Sequence, residues 1–71
     1  MAEFQKGDAV VWDWGNGVAR GKVSKVYTRK ITRSIKGTDV TRKASKDEPA
    51  LLIVQDDGDE VLKSSSEVRK G

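Results

Sequence analysis

Two residue types that carry much of protein chemistry are missing from this 71-residue chain, which has no cysteine and no histidine. Without cysteine no disulfide or thiolate metal site can form, and the redox compartment leaves no trace. Without histidine the commonest general base near neutral pH and the commonest metal ligand are gone. Serine and threonine are plentiful, but no base is identifiable beside them and no carboxylate pair lies in an apolar setting. Nucleophilic and metal-dependent catalysis therefore find no footing, and a non-enzymatic protein with no cofactor and no metal is expected. No apolar run approaches the ~18 residues of a membrane span. The first six residues, Met1 to Lys6, lack the apolar segment of a secretory signal. The expectation is a cytoplasmic monomer without membrane association. Its core is small, of a size that supplies roughly 3–5 kcal/mol net.

Charge is abundant and unevenly placed. The net charge of +3 is a weak signal, but its distribution is informative. Residues 20–46 hold Arg20, Lys22, Lys25, Arg29, Lys30, Arg33, Lys36, Arg42, Lys43 and Lys46 against Asp39 as the single acid. Residues 47–60 hold Asp47, Glu48, Asp56, Asp57, Asp59 and Glu60 with no base. Either the fold interleaves the two segments so that each offsets the other, or a basic face remains to attract an anionic partner.

The stretch from Lys6 to Val23 organises the rest, since it holds both tryptophans and most of the glycines. Val10, Trp12 and Trp14 share one face, with Asp8 and Asp13 off it or at the end, the period-2 pattern of a half-buried strand, and Val11 on the opposite face points to partial cover on both faces. Gly15-Asn16-Gly17 supplies the positive φ of a tight hairpin. A second strand over residues 18–28 breaks strict alternation between Val23 and Val26, which places a bulge near Ser24-Lys25. Gly21 marks tight coiling or a close backbone approach.

In residues 29–45, β-branched residues dominate, and a hairpin turning at about residues 36–39 sets Ile35 opposite Val40. Pro49 bars a central-strand position. Ala50-Leu51-Leu52-Ile53-Val54-Gln55 is the most apolar run and reads as a central strand covered on both faces. Asp57-Gly58 turns into a strand at Glu60-Val61-Leu62-Lys63. Ser64 and Glu67 have capping-box spacing for at most one helical turn. The expected core is Val10, Trp12, Val23, Val26, Leu51, Ile53 and Val61. The pattern as a whole predicts an all-β fold, a small barrel of five or six antiparallel strands with an extended basic hairpin. It forms one domain over residues 6–68, with flexible ends at 1–5 and 69–71.

Lys6-Gly7-Asp8-x-Val10-x-Trp12 followed by Gly21-x-Val23 resembles the opening of SH3-like barrels of the Tudor and KOW type. Trp12-x-Trp14-Gly15-x-Gly17, Gly21-x-Val23-x-x-Val26-Tyr27-Thr28, Thr32-Arg33-x-Ile35-Lys36-Gly37 and Asp57-Gly58-Asp59-Glu60-Val61-Leu62-Lys63-Ser64 resemble the hypervirulence-associated Tudor-like domain. The resemblance covers about residues 6–68 and implies a Tudor-like, SH3-like barrel. It brings no established ligand or reaction, because fold does not deliver function. Leu51 stands where the resemblance implies an aromatic residue.

Three constellations carry chemistry. Trp12, Trp14 and Tyr27 lie on one hairpin, with Asp13 or Asp57 as an accompanying acid. Aromatic faces beside a carboxylate attract cations, though the same rings also serve as core. Arg29, Lys30, Arg33, Lys36, Arg42 and Lys43 lie on the proposed basic hairpin, where they suit phosphate or merely guard a strand edge. The acidic tip Asp56-Asp57-Gly58-Asp59-Glu60 lacks the spacing of a calcium loop and reads as a solvated turn. The expected function is a binding module for protein or peptide, acting through an aromatic-acidic groove. Its candidate residues are Trp14, Tyr27 and Asp13, continuous with Arg29, Arg33 and Arg42. The alternative is weak nucleic-acid binding through the basic hairpin 29–43.

Overall fold

The computed structural model describes residues 4–71. They form an all-β domain: β1 (Ala9–Trp14), β2 (Gly17–Tyr27), β3 (Ile31–Ile35), β4 (Thr38–Arg42), β5 (Ala50–Gln55), β6 (Glu60–Ser64) and β7 (Arg69–Lys70). A single 3₁₀ turn, Ser65–Glu67, precedes β7. One sheet has the order β6-β5-β2-β1-β7, and β3 and β4 make a separate two-stranded sheet. The all-β barrel expected from the sequence is the fold observed.

The turns follow from their residues. Trp14 pairs with Gly17, leaving a two-residue connection in which Gly15 has φ 56°. A positive φ at the first turn position is the type II′ pattern, whose twist matches that of the flanking strands. The β2–β5 ladder shifts register between Val23 and Lys25, which is the bulge that the spacing of Val23 and Val26 requires. Gly21 lies where no side chain fits: a Cβ there would stand 2.7 Å from Ile53 Cγ2 and 2.7 Å from the Val54 carbonyl oxygen.

The β3–β4 register corrects the sequence expectation. Ile35 faces Thr38, and Val40 faces Arg33. The connection is only Lys36-Gly37, with φ 52° and 78°, the two consecutive positive values of a type I′ turn. The left-handed cost at Lys36 is offset by the twist of the tight hairpin, which a four-residue loop would not provide. In this register Ile31, Arg33 and Ile35 share one face with Thr38, Val40 and Arg42. Thr32 and Thr41 point the other way, their hydroxyl oxygens 2.8 Å apart.

The core has two compartments. Val10, Trp12, Val23, Leu51, Ile53 and Val68 fill the concave interior, with Phe4, Ala19, Val26 and Val61 packed on them. On the other face of the sheet, Ala50, Leu52 and Leu62 meet Ile31, Ile35 and Val40 of the hairpin, together with Tyr27 and Ala44. β5 is therefore covered on both faces, Leu51 and Ile53 inward and Ala50 and Leu52 outward. The hairpin does not protrude; it lies against the sheet.

The C-terminal residues from 69, expected from the sequence as a loose tail, lie as a short strand beside β1. Arg69 and Lys70 pair with Val11 and Val10, and the Gly71 amide donates to the Ala9 carbonyl at 3.1 Å. Free backbone groups on the outer edge of β1 draw this segment in. Of the N-terminal residues expected to be flexible, 1–3 lie outside the described residues. Phe4 packs on the core, with the Lys70 ammonium 5.9 Å from its ring centroid. The 3₁₀ turn is closed by the Ser64 amide, which donates to Glu67 Oε1 at 2.9 Å.

Candidate functional site

Alternation along β1 sends Val10, Trp12 and Trp14 to the same face. The first two enter the interior, and Trp12 is 4 % exposed. Trp14, beside the turn, has run past the core and is 73 % exposed. It edges a cleft of about 360 Å³ whose floor is Trp12, Ala19 and Val61. Asp57 and Asp59 from the β5–β6 connection stand on its rim with Gln55, Lys36 and Lys63. The cleft thus combines an exposed indole, an apolar floor and two carboxylates.

Its acidic side is pre-shaped. The Asp59 amide donates to Asp57 Oδ1 at 2.9 Å and Gly58 takes φ 90°, so the tip holds a fixed conformation. Lys36, from the turn of the β3–β4 hairpin, reaches across and donates to Asp59 Oδ2 at 2.7 Å. That hydrogen bond and the Asp59 charge raise the Lys36 pKa above its ordinary 10.5. A lysine ammonium is already one of the groups this cleft accommodates. Among the described residues Asp57 has no ion-pair partner.

The structure separates the other candidates. Asp13 points away from the cleft, opposite Val18, and Arg69 Nη2 lies 3.3 Å from its Oδ1. Tyr27 lies at the far end of β2 and on the outer face, packed with Ala50 and Leu52. It does not share a groove with Trp14. Arg29 is exposed in the link between β2 and β3. Arg33 and Arg42 point inward from the hairpin, each about one-third exposed, with Glu60 at 3.5 Å and Glu67 at 3.4 Å. Their Nε atoms are buried without a hydrogen-bond acceptor.

The basic and acidic segments of the sequence interleave only in part: Arg33 meets Glu60 and Lys36 meets Asp59. Glu67, beyond the acidic segment, receives both Arg42 and Lys63. The carboxylates beside Trp14 are those of the acidic tip. Asp57 was a candidate acid on sequence grounds; Asp59 was not, because its approach to Trp14 depends on how far β6 wraps around the barrel. Among the described residues no cluster of side chains has the make-up of a metal site, and no helix is long and apolar enough to cross a membrane.

A five-stranded antiparallel sheet curved around a core on one face, covered by a hairpin on the other and opening its cleft at a hairpin tip, has the make-up of a small Tudor-like barrel. The match to a family model described as the Tudor domain of hypervirulence associated proteins extends over residues 7–68. The chain belongs to that family. Comparison with curated proteins and with solved structures finds no significant match to either.

Proposed function

We propose that the chain is a non-enzymatic binding module that takes a protein or peptide ligand through the cleft at Trp14. A cationic side chain of the ligand lies on the indole face, beside Asp57 and Asp59. The observation that carries this reading is the Lys36 ammonium, held 2.7 Å from Asp59 Oδ2 at the rim of that cleft. A site that receives the chain's own lysine has the polarity to receive another. A cation over an exposed tryptophan gains roughly 0.5–1 kcal/mol, and about 2 when desolvated, so the complex is weak unless the peptide backbone adds contacts.

The test is a titration followed by tryptophan fluorescence and amide chemical shifts, using lysine-containing peptides with and without ε-trimethylation. Trp12 lines the floor of the same cleft, so emission is recorded for both wild type and Trp14→Ala, and the part of the change lost in the variant reports on Trp14. Saturable shifts at Trp14, Asp57 and Asp59 that vanish in Trp14→Ala support the reading. Binding unaffected by Trp14→Ala, or no shifts at the cleft with any peptide, would refute it. Lys36→Met frees Asp59 and should tighten peptide binding severalfold; unchanged affinity would remove Asp59 from the site.

A further inference from the structure

The outer face of the five-stranded sheet is divided. Over β5 and β6 it is apolar, through Ala50, Leu52 and Leu62, and the β3–β4 hairpin covers it. Over β1 and β2 it has no such cover. There the cross-strand pairs are Arg20 with Val11, and Lys22 with both Ala9 and Val54; Lys25 pairs with Leu52 at the margin of the hairpin. Arg20, Lys22 and Lys25 are all exposed, and among the described residues none has a carboxylate within ion-pair distance. Of the acids nearest in register, Asp13 is engaged by Arg69 and Glu60 by Arg33, while Asp56, one step past the Gln55–Gly21 pair, stands level with Arg20 without forming an ion pair among the described residues.

We propose that this face of β2 binds the phosphate backbone of single-stranded nucleic acid. Alternate residues of a strand stand about 7 Å apart on one face, so Arg20 and Lys22, continued by Lys25 beyond the bulge, form a single file of cations. A file suits a linear polyanion, which is bound largely through phosphate neutralisation and counterion release. The only large apolar side chain exposed on this face among the described residues is Val18. A membrane surface or an acidic protein partner would call for apolar anchors as well as charge. The track lies on the opposite side of the sheet from the Trp14 cleft and stands independently of the peptide-binding reading.

The experiment is fluorescence anisotropy with a labelled single-stranded RNA oligonucleotide over a series of salt concentrations, in parallel with vesicles containing phosphatidylserine. The wild-type slope of log K against log salt should be about −2, three cations at ~0.7 each. R20Q/K22Q should weaken RNA binding about fivefold or more at low salt and flatten the slope by about 1.4. R33Q/R42Q, which removes the same charge from the hairpin, should change it less than about twofold. The proposal is overturned by absence of salt-dependent RNA binding, by equal losses in the two double variants, or by binding to the vesicles and not to RNA. Amide-shift mapping on the wild-type chain decides the matter independently of variant folding. Shifts centred on residues 20–25 support the track; shifts centred on β4 or at Trp14 overturn it.

Discussion

Strand β2 presents Arg20, Lys22 and Lys25; the β3–β4 hairpin presents Arg33, Lys36 and Arg42. Each carries three cations, the hairpin with Asp39 as well, and they are attached to the fold in different ways. β2 is hydrogen-bonded to a neighbour on each side, β1 and β5, so its position is set by backbone, and of its outward side chains Tyr27 packs under the hairpin while the three cations make no ion pair among the described residues. The hairpin forms no ladder with the main sheet. It is held by Ile31, Ile35 and Val40 on Leu52 and Leu62, and by its cations on Glu60, Asp59 and Glu67. Charge density along a sequence therefore says little about charge available to a partner. What matters is whether an element is fixed by its ladder or by its side chains.

The largest effects should come from the two modes of attachment. Leu52→Ala removes the centre of the hairpin's docking face and should cost about 2–5 kcal/mol in chemical denaturation. Faster amide exchange in β3–β4 than in β1–β2 should accompany it. Equal acceleration in both would show that the hairpin is not a separately held layer. Gly21→Ala tests the other mode. Its Cβ would meet Ile53 and the Val54 carbonyl at 2.7 Å, and the strain should cost about 1–3 kcal/mol. No loss of stability would mean that β2 and β5 lie farther apart than described.

Smaller effects come from the ion pairs themselves. Arg42→Gln or Arg33→Gln should each cost no more than about 1 kcal/mol, because these pairs are partly exposed and each leaves a buried Nε without an acceptor. The smallest effect is the pH dependence at Lys36. Its pKa is raised in the folded chain, so the contact with Asp59 contributes fully below the unfolded value of 10.5 and is lost as pH rises through the folded value. Alkaline titration should therefore loosen the hairpin tip above pH 10.5, and Lys36→Met should remove that step. An identical alkaline step in the variant would assign it to another group.

Much of the fold was legible because it rests on local rules. The alternation of Val10, Trp12 and Trp14, the Gly15-Asn16 turn, the bulge after Val23, the close approach at Gly21 and the double coverage of β5 each follow from a few neighbouring residues. Pairing Ile35 with Val40 as apolar partners gives the wrong hairpin register. Lys36-Gly37 is the stronger signal, and it makes Arg33 the partner of Val40. Ala50, Leu52, Leu62 and Val68 lie outside the expected core and are buried, since their burial depends on layers brought in from distant segments. The site was legible in part. That Trp14 ends the core-facing row of β1 follows from alternation, but its company does not. Tyr27 lies nearby in sequence terms and on the other face in space, because the bulge in β2 changes which residues face inward. Asp59 joins Trp14 only through closure of the barrel.

The claim that hairpin cations are engaged in holding the fold while β2 cations are free is tested most directly by one measurement. This is the denaturation free energy of R33Q/R42Q and R20Q/K22Q at low ionic strength, where screening is weakest. The account predicts a loss of about 1 kcal/mol for the hairpin pair. For the β2 pair it predicts a change within about 0.5 kcal/mol. The difference should shrink as salt is added. Equal losses, or a larger loss from the β2 pair, would contradict it.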